Sequence, residues 1–165
     1  MKLVASTDPI LKQVAQAWDF EQDVNAKELE VDLIQLMIES GGIGLAGNQV
    51  GLLKRVFAIH LKGQVPFCMF NPYIIQGDNA NTLDTEGCLS FPDLWLKVPR
   101  HNNIIAGYVD RQGNECTITL AGIDSRCFQH ELDHLSGVCF TDLISPLKLQ
   151  MAIKKQRKHN GRTKR

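Results

Sequence analysis

Apolar positions change their spacing twice along the chain. Asp8-Pro9 is a helix-start pair, with Asp8 as cap and Pro9 in the first turn, and predicts a short helix to about Trp18. Asn25 opens a longer helix on which Leu29, Leu33, Leu36 and Met37 recur at helical steps, and Gly41-Gly42 ends it. The period then shortens. VFAIHL (56–61), FCMF (67–70), LWLKV (94–98), NIIAGYV (103–109) and ECTITL (115–120) read as strands, with DRQGN (110–114) as a hairpin connection. From Gly122 the spacing is helical again, with Ile123, Cys127, His130 and His134 on related faces. Ser145-Pro146 starts a last helix. Helix, then strands, then helix predicts an α+β fold rather than a βαβ series.

At 165 residues, 44% apolar and 22% charged, the chain has the composition of one ordinary globular domain. No stretch approaches the roughly twenty apolar residues of a membrane span. The N-terminal segment MKLVASTDPILKQVA lacks the apolar run of a secretory signal, so the expected setting is soluble and intracellular. Five cysteines, an odd number, argue against a disulfide framework. Cys68 and Cys116, in alternating apolar stretches, read as small buried hydrophobes. Net charge is zero but lopsided: residues 154–165 hold seven basic and no acidic residues, leaving a body of formal charge −7. The basic end either meets an acidic partner, nucleic acid included, or is a solvated terminus.

The candidate chemistry begins with His130-Glu131-Leu132-Asp133-His134, an H-E-x-x-H pattern. On a helix, positions four apart lie one turn apart on one face, so two imidazoles can grip one cation while Glu131 reaches a water on the metal. The alternative is a surface helix bearing two unrelated histidines. A catalytic site usually needs a third protein ligand. One metalloprotease class places a His six residues after the second His, but Phe140 stands there; another uses a downstream Glu, and none follows Glu131. Upstream, Glu86-Gly87-Cys88-Leu89-Ser90 offers a thiolate, although Cys88 without the histidine pair reads first as a reactive or buried thiol. The glycine-rich segment from Gly42 lacks the strand–G-x-x-x-x-G-K-[ST] pattern of a nucleotide site.

Three segments together resemble the peptide deformylase family: Gly42-Ile43-Gly44-Leu45-Ala46-Gly47-Asn48-Gln49, then Glu86 to Ser90, then Gln129 to His134. Their order and spacing fit over nearly the whole chain. Two departures stand out: the family typically has Ala where Gly47 stands, and Phe91-Pro92-Asp93-Leu94-Trp95 is less standard.

The resemblance implies mixed, mostly antiparallel sheets packed around a central helix carrying H-E-x-x-H, with N-terminal and C-terminal helices. It implies one catalytic metal-hydrolase domain over residues 1–153 and a basic tail over 154–165. Cys88, His130 and His134 would hold one divalent ion, usually Fe(II), with zinc, nickel or cobalt able to take its place. The implied reaction removes the N-formyl group from the initiator formyl-methionine of nascent polypeptides and releases formate. Water at the metal attacks, with Glu131 as general base and then acid. Gln49 and the Leu89 backbone N–H would stabilise the oxyanion. Ile43, Gly44 and Gly87 are candidates for main-chain substrate contacts, as a strand added to a sheet edge, and Cys127 lines the methionine pocket or packs in the core.

Trp95 reads either as substrate rim or, by weight, as core within LWLKV. Glu86 and Arg100 form a supporting ion pair or are separately solvated. The resemblance also supplies a partner for the basic end, the ribosome, in a cytoplasmic, organellar or host-cytoplasmic setting, with no membrane or DNA partner. A peptidase using the same site and a metal-sensing module remain the competing readings.

Overall fold

The computed structural model describes residues 1–23, 25–79 and 81–163, the last six by backbone alone. Lys164 and Arg165, the end of the expected basic tail, lie outside the described residues. Helix α1 (Ala26–Glu39) starts where the Asn25 side chain accepts from Lys27 N–H at 3.0 Å. It stops in a Schellman turn, with Gly42 N–H donating to Met37 O and Gly41 N–H to Ile38 O, both at 2.9 Å. That turn feeds the chain into β1 (Gly44–Ala46) and a 3-10 turn over Gly47–Val50. There follow β2 (Val56–Ile59), β3 (Phe67–Gly77), β4 (Asn81–Cys88), β5 (Phe91–His101), β6 (Asn103–Val109) and β7 (Glu115–Ala121). Helix α2 (Gly122–Leu135), a 3-10 turn (Phe140–Leu143) and helix α3 (Pro146–Thr163) complete the α+β fold.

A five-stranded antiparallel sheet runs in the order β1-β2-β3-β6-β7, and β4 and β5 form a separate two-stranded sheet. The larger sheet is covered on both faces. Val56 and Ala58 of β2 pack with Leu29, Leu33 and Met37 of α1, whereas Phe57 and Ile59 pack with Phe128 and Leu135 of α2. Burial on both sides explains why VFAI is continuously apolar rather than alternating. A third cluster joins Leu94, Leu96 and Val98 of β5 to Phe140 and to Leu149, Ala152 and Ile153 of α3.

The predicted helix to Trp18 is a single 3-10 turn, Pro9–Lys12. Leu11, Ala15 and Trp18 are all buried, at a spacing that imitates a helix. Their backbone partners lie elsewhere: Ala15 N–H donates to Leu135 O, Gln16 N–H to Leu53 O, and Trp18 N–H to the Asn71 side chain. Long-range bonds have replaced the helical ladder. Cys68 is buried as expected, but Cys116 on β7 is only half-buried. Strands β1 and β4 were not anticipated, and β3 and β5 run longer than their apolar stretches. No helix among the described residues is long and apolar enough to cross a membrane.

Candidate metal centre

Two periodicities build the site. On α2, the one-turn spacing of His130 and His134 sets their ring centroids 5.0 Å apart. On β4, residues two apart share a face, so the Glu86 carboxylate and Cys88 thiol both look toward α2 across Gly87. Ligand atoms of Cys88, His130 and His134 all lie within 4.8 Å of one another, and Cys88 Sγ sits 3.2 Å from His134 Nε2. One soft thiolate with two imidazoles suits zinc, iron, nickel or cobalt. Glu86 Oε1 lies 3.0 Å from His130 Nδ1, which fixes the ring and leaves Nε2 for a ligand, the carboxylate–histidine arrangement found behind metals. His134 Nδ1 is buried without a hydrogen-bond partner among the described residues.

Glu86 is itself gripped by two arginines. Arg100 Nη2 and Nε donate to its two oxygens at 2.7 and 3.2 Å, and Arg126 Nη1 donates to Oε2 at 3.1 Å. Arg100 also bonds Asp133. Burial alone would raise the Glu86 pKa, but His130 and Arg100 outweigh it and hold the carboxyl down at about 2. Burial likewise disfavours a charged His130, yet the Cys88 and Glu86 side chains bring its pKa up to about 10. His134, buried and facing the positive charges of His130 and Arg100, is pushed well below its ordinary value. The anionic surroundings that draw a proton onto His130 would favour a cation at the same nitrogen, which competes with that proton.

Glu131 follows His130 and is buried; its Oε2 has no hydrogen-bond partner among the described residues. Burial drives its carboxyl up to about 7, with His130 opposing. Gly44 explains how Glu131 fits. A Cβ there would lie 2.8 Å from Cys127 Sγ and closer still to the Glu131 carboxylate, so glycine lets both side chains sit against β1 where they are. Gln49 is buried in the 3-10 turn after β1. Its Oε1 accepts from Ala46 N–H at 2.8 Å, while Nε2 donates to Ser90 Oγ at 3.0 Å and faces Cys88 Sγ at 3.5 Å. Ile43 O accepts from His60 N–H at 2.8 Å and from Cys127 Sγ at 3.4 Å.

These groups open on a cavity of about 590 Å³, the size of a small-molecule or peptide site. Ile43, Gly44, Gly87, Leu89, Cys127 and Glu131 all line it. Trp95 does too, at 66% exposure, which overturns the core reading of that side chain. Glu86 and Arg100 form a buried pair, not two solvated charges. Sequence reasoning passed over Ser90, which orients Gln49, and Arg126, whose buried guanidinium also donates to Val98 O at 2.8 Å and Thr82 O at 2.7 Å. It also passed over Asn48, whose Nδ2 donates to His134 O at 2.6 Å. Ser90 lies inside a motif already singled out; nothing in the sequence around Arg126 signals its partner forty positions upstream.

Comparison with known proteins agrees with this geometry. The family model described as polypeptide deformylase matches residues 1–150. A peptide deformylase from Maricaulis maris is 40% identical over 163 residues, covering 95% of this chain and 92% of the relative. Among solved structures, a peptide deformylase from Synechococcus elongatus in complex with actinonin superposes with a TM-score of 0.86 at 33% identity, covering 94% of this chain and 85% of that one. A peptide deformylase from Legionella pneumophila also gives 0.86, at 31% identity, covering 99% and 97%. With the family model spanning most of its length and relatives aligned nearly end to end, this chain belongs to the polypeptide deformylase family.

Proposed function

We propose that the chain removes the formyl group from formyl-methionyl nascent peptides, with Cys88, His130 and His134 holding one divalent ion and Glu131 moving the proton. The observation that carries this reading is the Glu131 carboxylate: buried, one oxygen unpartnered among the described residues, and adjacent to three convergent ligands. When bound, the ion supplies a Lewis acid that makes water more acidic and the formyl carbonyl more electrophilic. Glu131 takes a proton from the attacking water. The new C–O bond forms at the formyl carbon. Glu131 then returns the proton to the amine nitrogen as the C–N bond breaks, yielding formate and a free N-terminus.

In this reading the Gln49 amide, which faces Cys88 Sγ, and the Leu89 backbone N–H donate to the oxyanion. Such a donor is typically worth about 3 kcal/mol. Strand β1 is terminal in its sheet, so its outer edge is open to an extended peptide. Gly44 on that side and Gly87 opposite supply the main-chain contacts; Ile43, whose carbonyl is turned toward His60 N–H and not the open edge, borders the methionine side chain with Cys127.

Iron(II) is the proposed native ion, and nickel, cobalt or zinc would fit the same donor set. Residues 1–153 constitute the catalytic unit in this reading, working in the cytoplasm or an equivalent organellar or host compartment. The basic residues from 154 onward, of which those up to Arg162 lie on the end of α3, contact ribosomal RNA. Ribosome co-sedimentation should weaken steeply with salt; co-sedimentation unchanged after deletion of 154–165 removes that role. For the reaction itself, anaerobically prepared protein loaded with Fe(II) or Ni(II) should release formate from a formyl-Met peptide. No release with either ion overturns the reading.

A further inference from the structure

Beyond the methionine pocket, the rim carries a large apolar side chain that the core does not use. Along β5, Leu94, Leu96, Val98 and Arg100 are buried while Trp95, Lys97 and Pro99 are exposed, the alternation of a strand with one face inward. Pairing with β4 runs Thr85↔Lys97 and Glu86↔Leu96, then jumps to Cys88↔Phe91. Three β5 residues therefore bulge out beside the cysteine, with Asp93 at φ 61° within the bulge. Just beyond Glu86↔Leu96, where the ladder shifts, Gly87 lies against the Trp95 ring. The missing Gly87 side chain makes the floor for the indole: a Cβ there would meet Trp95 Cε3 and Cζ3 at 3.1 Å. One side of the ring is thus backed by the strand next to Cys88. The residue remains 66% exposed, on the cavity that also contains Ile43, itself 45% exposed.

We infer that Trp95 is a specificity-determining residue, favouring an apolar or aromatic side chain in the first two residues after the formyl-methionine. The inference rests on the deformylase reading of this site. An extended peptide lying along the open edge of β1 and past Gly87 sends alternate side chains to opposite faces, and one of them meets the indole. Contact with an aromatic side chain should raise kcat/KM by about three- to tenfold over alanine.

The chain's two tryptophans allow a test that does not depend on turnover. Trp18 is 4% exposed and already shielded, so acrylamide quenching reports Trp95. In Glu131→Gln protein loaded with nickel, saturating formyl-Met-Phe-Ala or formyl-Met-Ala-Phe should lower quenching more than formyl-Met-Ala-Ala. In the active enzyme, kcat/KM for each phenylalanine peptide is compared with that for formyl-Met-Ala-Ala. At one or both positions the preference should be present in the natural chain, persist in Trp95→Phe and fall to near one in Trp95→Ala. A ratio near one in the natural chain at both positions, a ratio unchanged in Trp95→Ala, or quenching indifferent to the aromatic peptides overturns the inference and leaves deformylation standing. Failure of the natural chain to release formate from any of the three peptides overturns the deformylase reading and this inference with it.

Discussion

Replacing Arg126 by methionine isolates the support behind the metal centre. The guanidinium is buried and donates to Glu86 Oε2 at 3.1 Å, Val98 O at 2.8 Å and Thr82 O at 2.7 Å. Methionine keeps most of the volume and removes all three bonds. Losing the bond to a charged carboxylate costs about 1.5–3 kcal/mol, and a buried carbonyl left unsatisfied costs a further 1–3 or so. The Thr82 bond is partly exposed, so water replaces it. Arg100 still grips both oxygens of Glu86, which keeps the loss below that of an unpaired buried charge. The expected destabilisation is therefore about 3–4 kcal/mol, or a fall in Tm of roughly 6–16 °C for a chain of this size. With Glu86 less firmly held behind His130, metal affinity should drop by about tenfold. Calorimetry at matched metal occupancy and a chelator competition measure the two effects. If Arg126 acts through Glu86, its effect shrinks in a Glu86→Gln background, because the charged acceptor is already gone. A single variant melting within about 2 °C of the natural chain, with unchanged metal affinity, refutes this account.

Other expectations follow from the same geometry. Gly44→Ala places a methyl against the Glu131 carboxylate and Cys127 Sγ; turnover should fall by about a hundredfold or more with metal content retained, and normal turnover would mean that the carboxylate's working position does not depend on this close approach. Gln49→Ala removes the proposed oxyanion donor and should lower kcat by about 10²–10³. It also removes the acceptor for Ala46 N–H, so melts are read alongside; a change in KM alone would argue for a binding role instead. Stripping the metal with a chelator should abolish formate release and lower Tm, since a ligand bound to the folded state stabilises it by mass action. Readdition of Fe(II) or Ni(II) restores both, and activity that survives complete removal of metal would exclude the three-ligand site.

The helical part of the centre was legible because a helix turns local spacing into geometry: His130 and His134 meet without help from any other segment. Cys88 was not legible that way. It comes from β4, whose sequence NTLDTEGC has no apolar alternation, with Leu83 its one large apolar side chain, and whose first five residues are exposed. That strand exists because β5 pairs with it, and such pairing is not written in the periodicity of β4 alone. Only the family resemblance brought Cys88 to the histidines. Arg126 was hidden for a related reason. An arginine among Ser125, Cys127 and Phe128 marks no helix face as a buried charge site until Glu86 arrives from another element.

Trp95 is the opposite case, where a legible signal was outweighed by hydrophobicity. LWLKV contains Lys97, which will not face a core unpaired, and in a strand Lys97 shares its face with Trp95. Period two therefore assigns Leu94, Leu96 and Val98 to the core and Trp95 to the side with the lysine, whatever the indole's affinity for the interior. The same rule applied to Glu86-Gly87-Cys88 puts the carboxylate and thiol together and leaves Gly87 on the other face. In contact across the hairpin, Gly87 and Trp95 lie on the face opposite the one that carries Glu86 and Cys88, the candidate ligand and its support. A two-residue alternation on each of two strands thus separates the group that would bind the ion from the group that would read the peptide, with one glycine between them.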